Sequence, residues 1–444
     1  MDKNAFLAKF RDVYNNPEKY VQVTNELNPK TGKKEEVFHC EKLAEFFNDF
    51  VKTYLAPEME GIVDELPPVT VEKVKKLAPQ SKSTKESGGH YTVDSNELVG
   101  KIEMNAERFS GCKTKEQLRS VILQMMPIIC HEFQHFKQYT LVNANNGKLN
   151  LSDEQRAKLN AQFGADPEVI AEDCSYGSRK NVTIDFMKEF DPKIYKTASK
   201  QVKPNIFNIE AFLQRKDTLK NAHYFNRPYE VDARETSLKY FEQLITDTEK
   251  YNLTTSQEGQ VPVSRLKGIR NEQALKNKID LKKYSTKPME TFDEECKKIE
   301  PGKIAEYYEM IGKKYPPSNN PEQSQKRGAA LNNLSGVLEN ICRLKGPVEG
   351  QKFLSEVEKV ARASGNEELA NIAKQTLEEQ QKHSGSQSVS KDEIEQTGYY
   401  EKPEQQQTQQ RESHEKQNGQ TLSPEELEEQ QQMERALGLR KSDD

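Results

Sequence analysis

The stretch Cys130-His131-Glu132-Phe133-Gln134-His135-Phe136 places two imidazoles four positions apart, with a carboxylate directly after the first. On an α-helix, side chains at i and i+4 stand one above the other, so His131 and His135 can offer nitrogens to a single ion. Tetrahedral zinc accepts such a pair readily. Glu132 lies about 100° around the helix from His131, too far for a third ligand but well placed beside a metal-bound water. Zinc lowers the pKa of that water from 15.7 to roughly 7, so a carboxylate suffices as the base that takes its proton. Only seven histidines occur in the chain, and chance alone yields such a five-residue motif on the order of once in a hundred sequences of this kind. The alternative is a solvent-facing histidine pair on an amphipathic helix.

A catalytic zinc needs a third protein ligand and an open fourth position. The leading candidate is Glu230, within Asn226-Arg227-Pro228-Tyr229-Glu230-Val231-Asp232-Ala233-Arg234. Pro228 suits a first helical turn, which sets Glu230 on one face with Ala233, Ser237 and Phe241. Small Ala233 and Ser237 would let this helix approach the histidine helix closely. Otherwise Glu230 is a first-turn carboxylate favoured by the helix dipole. His223 competes as third ligand. Tyr224 and Tyr229 are candidate donors to a developing oxyanion, with packing as their alternative role. Cys130 reads as a small buried hydrophobe rather than a nucleophile. His90, in Gly88-Gly89-His90-Tyr91, reads as a loop residue before a strand.

Those side chains need elements to position them. The segment KEQLRSVILQMMPIICHEFQHFKQY (115–139) has helical periodicity: Ile122, Met125, Met126, Ile129, Phe133 and Phe136 share one broad arc, with His131 and His135 on the other side. Pro127 implies a kink or a fresh helix start. Upstream, VTVEKV after Pro67-Pro68 predicts a strand, and GGHYTVDSNELVGKIEMN predicts a strand-turn-strand unit. Residues 1–64 read as a helical region, with Phe6, Phe10, Val13 and Tyr14 on one helix and Leu43, Phe46, Phe47, Phe50, Val51 and Leu55 on another, separated by NPKTGKK at 28–34. Residues 151–250 are mostly helical. A charged helical region follows over 251–383, with PPSNNPE at 316–322 as a linker and a helical pair near 325–345 and 350–380. From 384 the Gln/Glu/Ser-rich chain is expected to be disordered, apart from a short helix at 423–439 that would form against a partner, marked by Ser423, Pro424 and Glu426.

The strand pair ending in KIEMN, then HEFQH, then PYEVDA on a second helix resembles the zincin metallopeptidases, specifically gluzincin-like members with a glutamate as third ligand. The resemblance covers residues 65–250, and HEFQH is its specific signal. It implies an α+β fold, predominantly helical, with a small sheet packed on the active-site helix. It also implies that His131, His135 and Glu230 bind zinc, that Glu132 is the general base, and that the strand around Lys101 to Asn105 is the sheet edge along which a peptide lies. The metzincin extension is absent, since Gln138 and Leu141 stand where glycine and histidine are required. The acidic residue expected four positions after the glutamate ligand is also missing, because position 234 is arginine. Asp232 is the candidate substitute, but two residues on from Glu230 it points to the opposite side of its helix.

Composition narrows the function classes. Lys+Arg 66 against Asp+Glu 71 gives a net charge of -5, without the basic excess that nucleic-acid binding needs. The longest apolar run is far short of the roughly 20 residues of a membrane span. No cleavable export signal is visible, and the six cysteines are scattered singly, so a reducing cytoplasm is the default location, although signal-free secretion would leave the same pattern. The expected activity is zinc-dependent hydrolysis of a peptide bond in a protein or peptide. The alternatives are a catalytically idle scaffold that binds partners, or a secreted effector or toxin using the same chemistry.

Overall fold

Asp2 caps α1 (Lys3–Asn15) by accepting from the Ala5 N–H at 3.0 Å, and the helix buries Phe6, Phe10 and Val13. The computed structural model describes residues 2–27, 32–73, 88–93, 97–199, 218–283 and 287–385. The proposed tail helix at 423–439 and the Gln-rich tail beyond 385 lie outside the described residues.

The sequence reading of residues 1–64 as helical needs correction. A hairpin of β1 (Gln22–Leu27) and β2 (Lys34–His39) intervenes, pairing Val23 with Phe38 and Thr24 with Val37. β-branched and aromatic residues at matched cross-strand positions favour the strand state here. Helix α2 (Glu41–Phe50) runs on into one wide turn at Val51–Leu55. Its Phe46 ring lies 5.3 Å from that of Phe6 and 5.9 Å from that of Phe10.

A second sheet has the order β3 (Val69–Glu72), β5 (Lys101–Asn105), β4 (Gly89–Thr92), with β3 parallel and β4 antiparallel to β5. This corrects two expectations. The strand at 101–105 is central, so β4 rather than β5 is the edge nearest the histidine helix. Ile102 and Met104 of β5 are both fully buried, as suits a strand paired on both sides. His90 stands within β4 rather than in a loop. The glycines that suggested a loop instead allow close approach: a Cβ at Gly88 would lie 2.5 Å from Ile128 Cδ1, and one at Gly89 would lie 2.7 Å from Met104 Sδ.

Helix α3 (Lys115–Asn145) opens on a capping box between Thr114 and Gln117 and carries Pro127 inside it rather than at a new start. There follow α4 (Asp153–Asn160), α5 (Pro167–Phe190), α6 (Pro192–Ser199), α7 (Thr218–Asn226) and α8 (Pro228–Thr254). Pro228 opens α8, and Ala233, Ser237 and Phe241 are buried where α8 packs along α3. Helices α9 (Val263–Lys283) and α10 (Lys287–Lys297) precede α11 (Pro301–Lys314) and α12 (Pro321–Lys345). In place of the pair expected from 325 to 380 there are three helices, the last two being α13 (Pro347–Ala363) and α14 (Glu367–Gly385). Gly365, at φ +73°, turns the chain between them in a conformation glycine adopts without strain.

The described chain divides into two compact units. Among the described residues, one comprises those up to 299 together with 314–344, and the other comprises 300–313 and 345–385. The first is predominantly helical and holds both small sheets. Within the second, α13 and α14 pair through buried Phe353, Leu354, Val357, Leu369 and Ala373. No described helix is long and apolar enough to cross a membrane.

Candidate metal centre

Helix α3 is dry around most of its circumference. Ile122, Met126, Ile129, Phe133 and Phe136 fill the apolar side, as their spacing requires. Gln134, His135 and Gln138, on the opposite surface, are also buried where α8 packs along α3. The histidines therefore face a helix partner and not solvent, His135 at 6 % side-chain exposure and His131 at 18 %.

His131 Nε2 and His135 Nε2 are 3.1 Å apart. Glu230 places Oε2 3.5 Å from the first and Oε1 3.9 Å from the second. Among the described residues this is the one group of three such ligands, all within 4.8 Å of one another. Four ligands at 2.0–2.1 Å around a tetrahedral ion are separated by about 3.3–3.4 Å, and the His131–His135 and His131–Glu230 Oε2 distances of 3.1 and 3.5 Å lie on either side of that value. Glu230 Oε2 is buried without a hydrogen-bond partner, with His131 Nε2 at 3.5 Å and Arg234 Nη2 at 3.8 Å beside it, which leaves its lone pairs open to a cation. On both counts the residues present fit a divalent ion.

The electrostatics of Glu230 and His135 agree with that fit. Burial works against charge on Glu230, but the contact with His131 and the charges of His135, His131 and Arg234 prevail and pull its pKa down to about 2. Burial and the neighbouring His131 push His135 down to about 3. Burial also opposes a charge on His131, yet contact with Glu230 and the charge of Glu132 leave it raised. An ionised carboxylate and a neutral imidazole are the forms that donate electron pairs to a metal.

The network around His135 also fixes which nitrogen is free. Gln138 donates its amide N–H groups to Asp232 Oδ2 at 2.8 Å and to the Tyr229 carbonyl at 2.9 Å. Its Oε1 is left to accept from His135 Nδ1, at 2.8 Å. The proton sits on Nδ1, and Nε2 presents its lone pair toward His131 and Glu230.

Glu132 is 7 % exposed, and its Oε2 accepts from the Tyr91 N–H of β4 at 2.8 Å. In the β4–β5 ladder the Asn105 N–H donates to the Gly88 carbonyl, a phase that turns the Tyr91 N–H away from β5. Burial, with the charge of Glu230, raises the Glu132 pKa against the opposing pull of His131 and the Tyr91 N–H.

The remaining candidates separate clearly. Tyr229 stacks on the His135 ring at 4.1 Å and 11°, with the Arg227 guanidinium 4.9 Å from its ring centroid, so its ring packs His135 in place. Tyr224 is 44 % exposed, with Arg234 5.7 Å from its ring centroid. His223 is buried outside the ligand cluster. Cys130 is fully buried, and desolvation raises its thiol pKa far from the reactive range. Sequence reasoning missed three participants. Gln138 was noted only for not being glycine, and Asp232 was set aside on helical angle. Arg234 was noted only as a departure from pattern, yet its Nη2 lies 3.8 Å from Glu230 Oε2. A polar residue three positions after His135, inside an otherwise buried helix, was the available signal for Gln138.

Comparison with protein-family models, curated proteins and solved structures found no match to this chain.

Proposed function

We propose that this chain is a zinc-dependent peptidase, in which His131, His135 and Glu230 hold the ion and Glu132 is the general base for hydrolysis of a peptide bond. When bound, zinc supplies a Lewis acid for the scissile carbonyl and brings the pKa of water from 15.7 to roughly 7. The observation that carries the reading is the setting of Glu132. It is buried beside the three ligands, yet its hydrogen bond goes to the Tyr91 N–H on the outer edge of β4. That bond aims the carboxylate while leaving lone pairs to take a proton from water. Having taken that proton, the same carboxyl group can pass it to the departing amine. Sheet order favours β4 as the strand along which an extended substrate lies, joined by backbone hydrogen bonds.

The test compares wild type with Glu132→Gln, which preserves size but cannot accept the proton. Both proteins should carry about one zinc per chain. New peptide termini generated in a proteome by the wild type should fall by at least the 10² to 10⁴ typical of a positioned base. Identical terminus profiles from two equally zinc-loaded proteins would favour a partner-binding scaffold instead.

A further inference from the structure

Position 234 is arginine, so no carboxylate stands one turn beyond Glu230 to orient a histidine, and Asp232 lies about 200° around α8 from Glu230. That angle keeps Asp232 from touching His135, but a side chain of α3 spans the gap. Asp232 is 2 % exposed and accepts from Gln138 Nε2 at 2.8 Å, from Gln134 Nε2 at 2.8 Å and from the Gly164 N–H at 2.7 Å. The first two donors sit four residues apart on α3, on the stripe beside the one that carries His131 and His135. Gln138 is fully buried, and its Oε1 meets His135 Nδ1.

We infer that Asp232 is a positioning residue that acts through Gln138: it fixes the orientation of the Gln138 amide, which fixes His135 as the Nδ1–H tautomer with Nε2 free for the metal. The chemistry of a glutamine makes the device necessary. An amide presents oxygen or nitrogen to a neighbour with nearly equal ease, and a flipped Gln138 would offer N–H to His135 Nδ1 and force the proton onto Nε2. Two acceptors on the nitrogen side, the Asp232 carboxylate and the Tyr229 carbonyl, forbid the flip. The carboxylate is the stronger of the two because it is charged. Gln134 and Gly164 in turn hold Asp232, so its position does not depend on Gln138. The inference rests on the metal-site reading, but its first consequence concerns the metal-free protein.

The experiment has two arms on the full chain. In the first, long-range ¹H–¹⁵N spectra of the metal-free protein report the His135 tautomer. Wild type should be Nδ1–H, and Gln138→Met and Asp232→Asn should both lose that preference. In the second, zinc affinity is measured by competition with a chromophoric chelator for wild type, both single variants and the double variant. Each single change should weaken binding by about 10- to 100-fold, the usual scale for a residue that supports a ligand. Because Asp232 acts through Gln138, adding Asp232→Asn to Gln138→Met should cost little more. A His135 that stays Nδ1–H in both variants, or two losses that multiply fully in the double variant, overturns the inference. Failure of the wild type itself to bind zinc would count against the peptidase reading, while the tautomer spectra would still decide the role of Asp232.

Discussion

Phe6, Phe10, Phe46 and Phe50 pack ring on ring between α1 and α2, whereas His131, Gln134, His135 and Gln138 run along α3 nearly as dry but joined by hydrogen bonds. The first group is held by area removed from water, a force with no preferred direction. Neighbouring rings can share out the loss of one member only by collapsing. In the second, each polar atom needs a particular partner, and one wrong donor leaves a buried group unpaired. The aromatic cluster should therefore govern whether the unit folds, and the polar stripe should govern what it binds. The two kinds of change should separate in measurement.

The largest effect should come from the aromatic side. Phe46→Ala removes a fully buried ring between α1 and α2 and should destabilise the protein by about 3–5 kcal/mol, measured by urea unfolding without metal. The fraction that stays folded should bind zinc with wild-type affinity. Loss of zinc affinity in that fraction would mean that the two regions are not independent.

Next in size is the stabilisation that zinc itself confers. At a free concentration one hundred times its dissociation constant, zinc should add about 2.7 kcal/mol to wild type and to Phe46→Ala alike. The same addition should leave His131→Ala and Glu230→Ala almost unchanged, because each lacks one of the three proposed ligands. An equal shift in Glu230→Ala would move the third ligand elsewhere, with His223 the next residue to test.

The smallest effect should fall on Lys137, where the two regimes meet. Its side chain is fully buried on α3, paired with Glu58 and the Tyr240 hydroxyl, and lies 4.8 Å from the Tyr240 ring centroid. Burial lowers its pKa against the pull of Glu58. Lys137→Met keeps most of the volume, removes the desolvated charge and leaves Glu58 half-exposed with its Tyr240 partner, so stability should change by no more than about 1 kcal/mol. A loss of several kcal/mol on urea unfolding would show that this pair resembles the directional network more than the packed core.

The sequence alone placed His131 and His135 one above the other on α3, because a four-residue spacing on a helix is local geometry. It also determined the apolar arc from Ile122 to Phe136 and the start of α8 at Pro228, since periodicity and the fixed φ of proline act within one or two turns. The pairing of Glu230 with the histidines was legible only as a candidate, resting on Ala233 and Ser237 as a close-packing face. Tertiary structure decided the rest. The hairpin at 22–39 was hidden because its strands mix exposed and half-buried residues and carry a weak alternation. The central place of β5 could not be read locally, because strand order depends on which segments return to pair with it. Glycines 88 and 89 looked like a loop until Ile128 and Met104 were seen to occupy the space a side chain would need. The burial of His135, the stacking of Tyr229 and the bridge from Asp232 through Gln138 arise only where α8 lies against α3. A helical-wheel angle tells which residues cannot touch directly, but only the packed partner reveals the side chain that closes the distance.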